Sequence, residues 1–94
     1  MTKSIMSNDP VCLICGYPKN LHRHHVFFGT ANREKSEKDG CWVYLCQRHH
    51  NGSNNSVHYC KTMDLRLKKD CQRTWEAIYG TREEFIERYG KSYL

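Results

Sequence analysis

Hydrophobic positions change their spacing near residue 60. Beyond it, Met63, Leu67, Cys71, Trp75 and Ile78 recur at i, i+4, i+8, i+12 and i+15. They form one apolar stripe, with Lys68, Lys69, Gln72, Arg73 and Glu76 around the outside. This spacing predicts a helix from about Lys61 to Tyr79, stopped by Gly80 as a C′ glycine. Thr81-Arg82-Glu83-Glu84 then fits a capping box, with Thr81 as N-cap and Glu84 at N3. It opens a short helix whose apolar face is Phe85, Ile86 and Tyr89 and which ends at Gly90.

Before residue 60 no helical period is sustained. Val26-Phe27-Phe28 and Trp42-Val43-Tyr44-Leu45 are aromatic and β-branched runs bounded by turn residues, which predicts two strands. The polar, charged stretch from Gly29 to Gly40 reads as a long connection between them, and Gly52-Ser53-Asn54-Asn55-Ser56 as a second loop. Met1 to Asp9 is polar and reads as a loose tail. The expected fold class is α+β, in a single domain. Residues 1–9 are its tail, 11–58 its core and 61–90 its helical tail.

The 94 residues are too few for a large core, so a metal or disulfide staple is expected to help. No stretch approaches a membrane span, and no hydrophobic leader precedes a cleavage site. A cytoplasmic location is therefore expected. In a reducing compartment the six cysteines (Cys12, Cys15, Cys41, Cys46, Cys60 and Cys71) favour metal binding over disulfides. Fifteen Lys and Arg against ten Asp and Glu leave a net charge of +5, which favours an anionic partner, nucleic acid first.

Cys12-Leu13-Ile14-Cys15-Gly16 is a C-x-x-C knuckle, and Cys46-Gln47-Arg48-His49 is a matching C-x-x-H half. Together they supply Cys12, Cys15, Cys46 and His49, an accepted closed set for structural zinc. The competing reading is that these cysteines pack as small hydrophobes. Cys71 lies on the helix stripe and reads as core, while Cys41 and Cys60 have no comparable pairing. That zinc needs only one of six histidines. His24 and His25 precede the first strand candidate, His50 follows the second knuckle, and His58 comes eight residues later. Their grouping predicts a second, functional metal site.

The order C-x-x-C, His24-His25-Val26, Leu45-Cys46-x-x-His49-His50, then Val57-His58 resembles the HNH nucleases of the ββα-metal class. More narrowly it resembles small HNH-type proteins of bacteriophages and prophages, in which zinc knuckles brace the site. The resemblance covers Cys12 to about His58 and implies a zinc-stapled ββα-metal core, with the long helix and the short final helix following it. It implies His25 as general base, with His24, His50 and His58 as ligands of a catalytic divalent ion. The family's middle Asn falls here on Cys41, so Asn32 is the substitute candidate, with Asp39 behind it. The implied location is the cytoplasm of a bacterial host.

The chemistry suits these residue types. A neutral imidazole takes a proton from water near neutral pH. A divalent ion on imidazoles stabilises negative charge on a phosphodiester and on the departing 3′ oxygen. Imidazole ligands suit Zn, Ni, Co or Mn better than Mg. Arg23, Arg33, Lys35 and Lys38 flank the expected site, Arg33 being the first candidate for a phosphate contact. The expected function is metal-dependent hydrolysis of DNA with little sequence specificity. Two readings compete with it: a non-catalytic zinc module that binds nucleic acid or protein, and a protein that docks on a host factor through Tyr89 and Tyr93. No feature of the sequence fixes the oligomeric state.

Overall fold

The computed structural model describes residues 2–50 and 60–94. In chain order they form strand β1 (Leu21–His25), helix α1 (Thr30–Asp39), strand β2 (Trp42–Cys46), short helix α2 (Gln47–His50), long helix α3 (Lys61–Ile78) and helix α4 (Arg82–Tyr89). The architecture is α+β. His58 and the Gly52–Ser56 loop lie outside the described residues.

The two strands pair antiparallel, from Leu21 opposite Cys46 to His25 opposite Trp42. The first strand therefore lies wholly before the Val26-Phe27-Phe28 run, ending at the residue that precedes it. Val26 still donates its N–H to the Cys41 carbonyl at 2.9 Å. Val26 and Phe27 are wholly buried, whereas Phe28 is 45% exposed. Their apolar character reflects burial beyond the sheet rather than strand pairing. The strand itself is Leu-His-Arg-His-His, whose polar residues conceal it from a hydrophobic pattern.

The stretch from Gly29 to Gly40 is a helix, not a loop. Ser36 is its only buried residue, so α1 has no apolar stripe to reveal it. Polar side chains hold it in place instead. Ser36 Oγ donates to the Phe27 carbonyl at 2.6 Å, Asn32 Nδ2 to the Tyr89 carbonyl at 3.1 Å, and Lys35 Nζ to the Arg88 carbonyl at 2.7 Å. The last two bonds satisfy carbonyls at the C-terminal end of α4, where no intrahelical donor remains.

Gly40 ends α1 in the left-handed conformation, φ 77°. A Cβ there would collide with the Lys3 carbonyl, because the N-terminal segment runs directly against it. That segment is not a loose tail. Ile5 N–H donates to the Gly40 carbonyl at 2.9 Å, Trp42 Nε1 to the Thr2 carbonyl at 2.9 Å, and buried Ser4 donates its hydroxyl to the Trp42 carbonyl.

Helix α3 buries Leu67, Cys71 and Trp75 as the stripe predicts. Ile78, the last position of that stripe, is 57% exposed because the helix ends there. Gly80 follows without taking the left-handed conformation expected of it. Gln72, expected on the outer face, is fully buried. Its amide is satisfied by the C-terminal segment, accepting from Tyr93 N–H at 2.7 Å and donating to Ser92 Oγ at 3.0 Å. Helix α4 opens with the expected capping box and ends at Gly90. Phe27 meets Phe85 and Tyr89 with ring centroids 5.0 and 4.6 Å apart. Tyr89 is thus core, and Tyr93 packs partly against that core, which removes the basis for a docking surface built on these two tyrosines.

Candidate metal centre

The first knuckle is a tight turn docked on β2. Cys12 N–H donates to the Tyr17 carbonyl, Gly16 N–H to the Cys12 carbonyl and Leu13 N–H to the Tyr44 carbonyl, all at 2.8–2.9 Å. Gly16 takes φ 77°, a left-handed conformation that closes the turn at little steric cost. The second knuckle follows from the junction of β2 with α2. Cys46 is the last residue of the strand, and one helical turn carries His49 back beside it.

Four ligand atoms, from Cys12, Cys15, Cys46 and His49, lie within 4.8 Å of one another. A tetrahedral zinc with bonds of about 2.3 Å to sulfur and 2.0–2.1 Å to nitrogen places its ligand atoms about 3.5–3.8 Å apart. Here Cys15 Sγ lies 3.7 Å from Cys46 Sγ, and His49 Nδ1 lies 3.7 Å from Cys12 Sγ and 3.4 Å from Cys46 Sγ. The spacing fits one ion. This Cys3His cluster can hold a metal and is compatible with structural zinc.

Burial pushes the Cys12 thiol up, but backbone amides of Cys46, Cys15 and Ile14 and the Cys15 thiol outweigh it, and its pKa falls to about 6. Cys15 moves the other way. The Tyr17 amide favours its thiolate, yet desolvation and the neighbouring Cys12 and Cys46 leave its pKa raised. Cys12 therefore offers a thiolate at neutral pH and loses it as pH drops through about 6. Metal binding requires thiolates, so acidification from pH 7 to 5 is expected to weaken metal retention at least ~10-fold. A chromophoric chelator competed against the protein across that range measures the change. Retention that is flat with pH would contradict it.

The strand's alternation divides the remaining histidines. His22 and His24 share one face of β1 and meet α2. His22 Nδ1 lies 2.9 Å from His50 Nδ1, and the ring centroids of His24 and His50 are 5.3 Å apart. Thus the expected ligands His24 and His50 are brought together. His58 lies outside the described residues.

Arg23 and His25 share the opposite face and converge on Glu37 of α1. His25 Nε2 is 3.0 Å from Glu37 Oε1, and Arg23 Nη1 donates to Glu37 Oε2 at 2.7 Å. Arg23 also stacks 3.8 Å over the Trp42 ring. Burial alone would raise the Glu37 pKa, but the bonds from His25 and Arg23 prevail and hold it below the usual value. An ionised carboxylate only accepts, so it fixes a neutral His25 with its proton on Nε2 and a lone pair on Nδ1. Glu37 is the residue sequence reasoning missed. An acidic residue in an apparently polar loop gives no signal until that loop is known to be a helix.

The two stand-ins for the family's middle Asn are engaged elsewhere. Asn32 spends its amide on the Tyr89 carbonyl, and Asp39 accepts from Arg88, Trp75 and Tyr89. Both faces belong to helix contacts, because α1 turns those residues toward α3 and α4. Cys41 is wholly buried. Arg33 lies exposed on α1, as a phosphate contact requires, whereas Arg23 and Lys35 are committed to the bonds above. Among the described residues, no helix is long and apolar enough to cross a membrane. Comparison with protein families, with curated proteins and with solved structures returns no match.

Proposed function

We propose that this protein is a metal-dependent endonuclease of the HNH type that hydrolyses DNA phosphodiester bonds and comes from a phage or prophage. The observation that carries the reading is the pairing of His24 of β1 with His50 of α2, ring centroids 5.3 Å apart, beside a β2–α2 junction that also supplies Cys46 and His49 of the Cys3His cluster. Consecutive residues His49 and His50 then serve two centres. His49 turns to the cysteines and His50 to β1, so a structural ion at the first would fix the geometry of the second.

His24 and His50 would hold the catalytic divalent ion, with His58 as the family's third ligand. Bound there, the ion supplies Lewis-acid stabilisation of charge on the phosphate and the leaving oxygen. His25, the last residue of β1, takes the proton from the attacking water at Nδ1, while Glu37 holds the ring through Nε2. Arg33 contacts the DNA backbone. Its charge adds affinity without reading bases.

A second reading also has structural support. The engagement of Asn32 with α4, and the opposite orientations of His24 and His25 along β1, favour a zinc module that binds nucleic acid or protein without cutting.

A plasmid-nicking assay separates them. With Mn, Ni, Co, Mg or Zn restored singly after mild chelation, the wild type is expected to nick DNA. His25→Ala is expected to lose about 10²–10⁴-fold in rate. Its circular dichroism and its Cys3His metal content should be unchanged. Folded, metal-loaded wild type that nicks with none of the five ions rules the nuclease reading out.

A further inference from the structure

We propose that His22, a residue outside the HNH pattern, is a ligand of the second metal ion, completing a three-imidazole site with His24 and His50. The inference rests on the proposed metal site but not on its catalysis. Three observations support it. His22 and His24 are two residues apart on β1, so their side chains leave the same face. The β1–β2 register sets that face beside α2, which carries His50. His50 then meets both rings, with centroids 5.0 Å from His22 and 5.3 Å from His24.

Each pair has the dimensions of two ligands on one ion. His22 and His24 have to close on that ion from either side of His50, since among the described residues only the Cys3His set already has all its ligand atoms within 4.8 Å of one another. With metal–nitrogen bonds of about 2.0–2.1 Å, two imidazoles on one ion have ring centroids about 4.5–5.5 Å apart for angles of 90–120°. Two nitrogens at 90° lie about 2.9 Å apart, the separation of His22 Nδ1 from His50 Nδ1. Three imidazoles from a strand and a short helix leave further coordination positions open, as catalytic rather than structural sites do. The set is drawn from β1 and α2 alone. Its donors are all nitrogen, so the ion expected is zinc, cobalt or nickel rather than magnesium. The alternative is that 2.9 Å marks only an N–H···N hydrogen bond between His22 and His50.

The test is binding, read without cleavage. Protein carrying its Cys3His metal is titrated with Zn(II) by calorimetry, while imidazole nitrogen shifts are followed by long-range ¹H–¹⁵N NMR. The wild type is expected to take up a second equivalent, with the His22, His24 and His50 nitrogens shifting together. His22→Ala should weaken that second equivalent by roughly tenfold or more, and His25→Ala should leave it unchanged. A second equivalent that shifts His24 and His50 but not His22 overturns the inference and leaves the proposed metal site standing. No second equivalent in the wild type overturns both. The NMR readout on the wild type decides the question even if His22→Ala fails to fold.

Discussion

Cys46→Ala is expected to abolish the fold, and removing the Cys3His metal from the wild type by strong chelation is expected to do the same. Cys46 is 5% exposed and ends β2, opposite Leu21. Its sulfur lies 3.7 Å from Cys15 Sγ of the first knuckle and 3.4 Å from His49 Nδ1 of its own, so one substitution removes the ligand through which the two knuckles meet. Structural zinc contributes on the order of 10–16 kcal/mol of apparent folding energy in small domains. A whole domain is stable by only about 5–15 kcal/mol. Among the described residues the sheet has two strands, and a two-stranded sheet alone is marginal in water. With zinc held at this cluster, its loss would remove as much as the rest of the chain has to offer. Cys71→Ala supplies the contrast. Cys71 is equally buried but lies in the helical core, and its loss should cost about 1–2 kcal/mol, leaving metal content intact. Thermal melts with elemental metal analysis measure both. A Cys46→Ala variant that melts within a few degrees of wild type would mean the core stands without the ion.

The helical half was legible because burial there follows one periodicity. Leu67, Cys71 and Trp75 lie on a stripe that no strand could produce, and Thr81 with Glu84 announces the start of α4. The Cys3His cluster was legible for a different reason. Ligand spacing within each knuckle is local, and only the meeting of the knuckles needed the fold. What escaped reading is held by polar contacts. Helix α1 buries only Ser36, so its register depends on partners 9 to 57 residues distant, at Phe27 and Tyr89. Strand β1 is defined by its pairing with β2 rather than by its own composition. Glu37 escaped with α1, and His22, proposed above as a ligand, lies outside the pattern that carries the resemblance, whose histidines begin at His24.

Asp39→Ala is expected to destabilise the protein by about 3 kcal/mol, a fall in melting temperature of roughly 10–20 °C. Asp39 ends α1, where the helix dipole disfavours a carboxylate. Three residues on two other helices, supplying four donors, offset that cost. Its oxygens accept from Arg88 Nη2 at 2.8 Å and Arg88 Nε, from Trp75 Nε1 at 2.9 Å and from Tyr89 Oη at 2.7 Å. The hydrogen bond to Asp39 holds the Arg88 pKa above its ordinary value against the opposing effect of burial. Alanine leaves a guanidinium, a buried indole N–H and a buried phenol without their acceptor, and an unsatisfied buried donor costs about 1–3 kcal/mol. The Arg88 share is the smaller, because that side chain is 34% exposed and water can replace part of the bond. Asp39→Asn should lie between alanine and wild type, since it keeps an acceptor for Trp75 or Tyr89 but not the charge paired with Arg88. Arg88→Met combined with Asp39→Ala should cost less than the sum of the two single changes, the mark of a shared network. Metal content should stay at the wild-type value throughout, since Asp39 acts on helix packing. A fully stable Asp39→Ala that no longer nicks DNA would return this residue to the catalytic role its place in the sequence suggested.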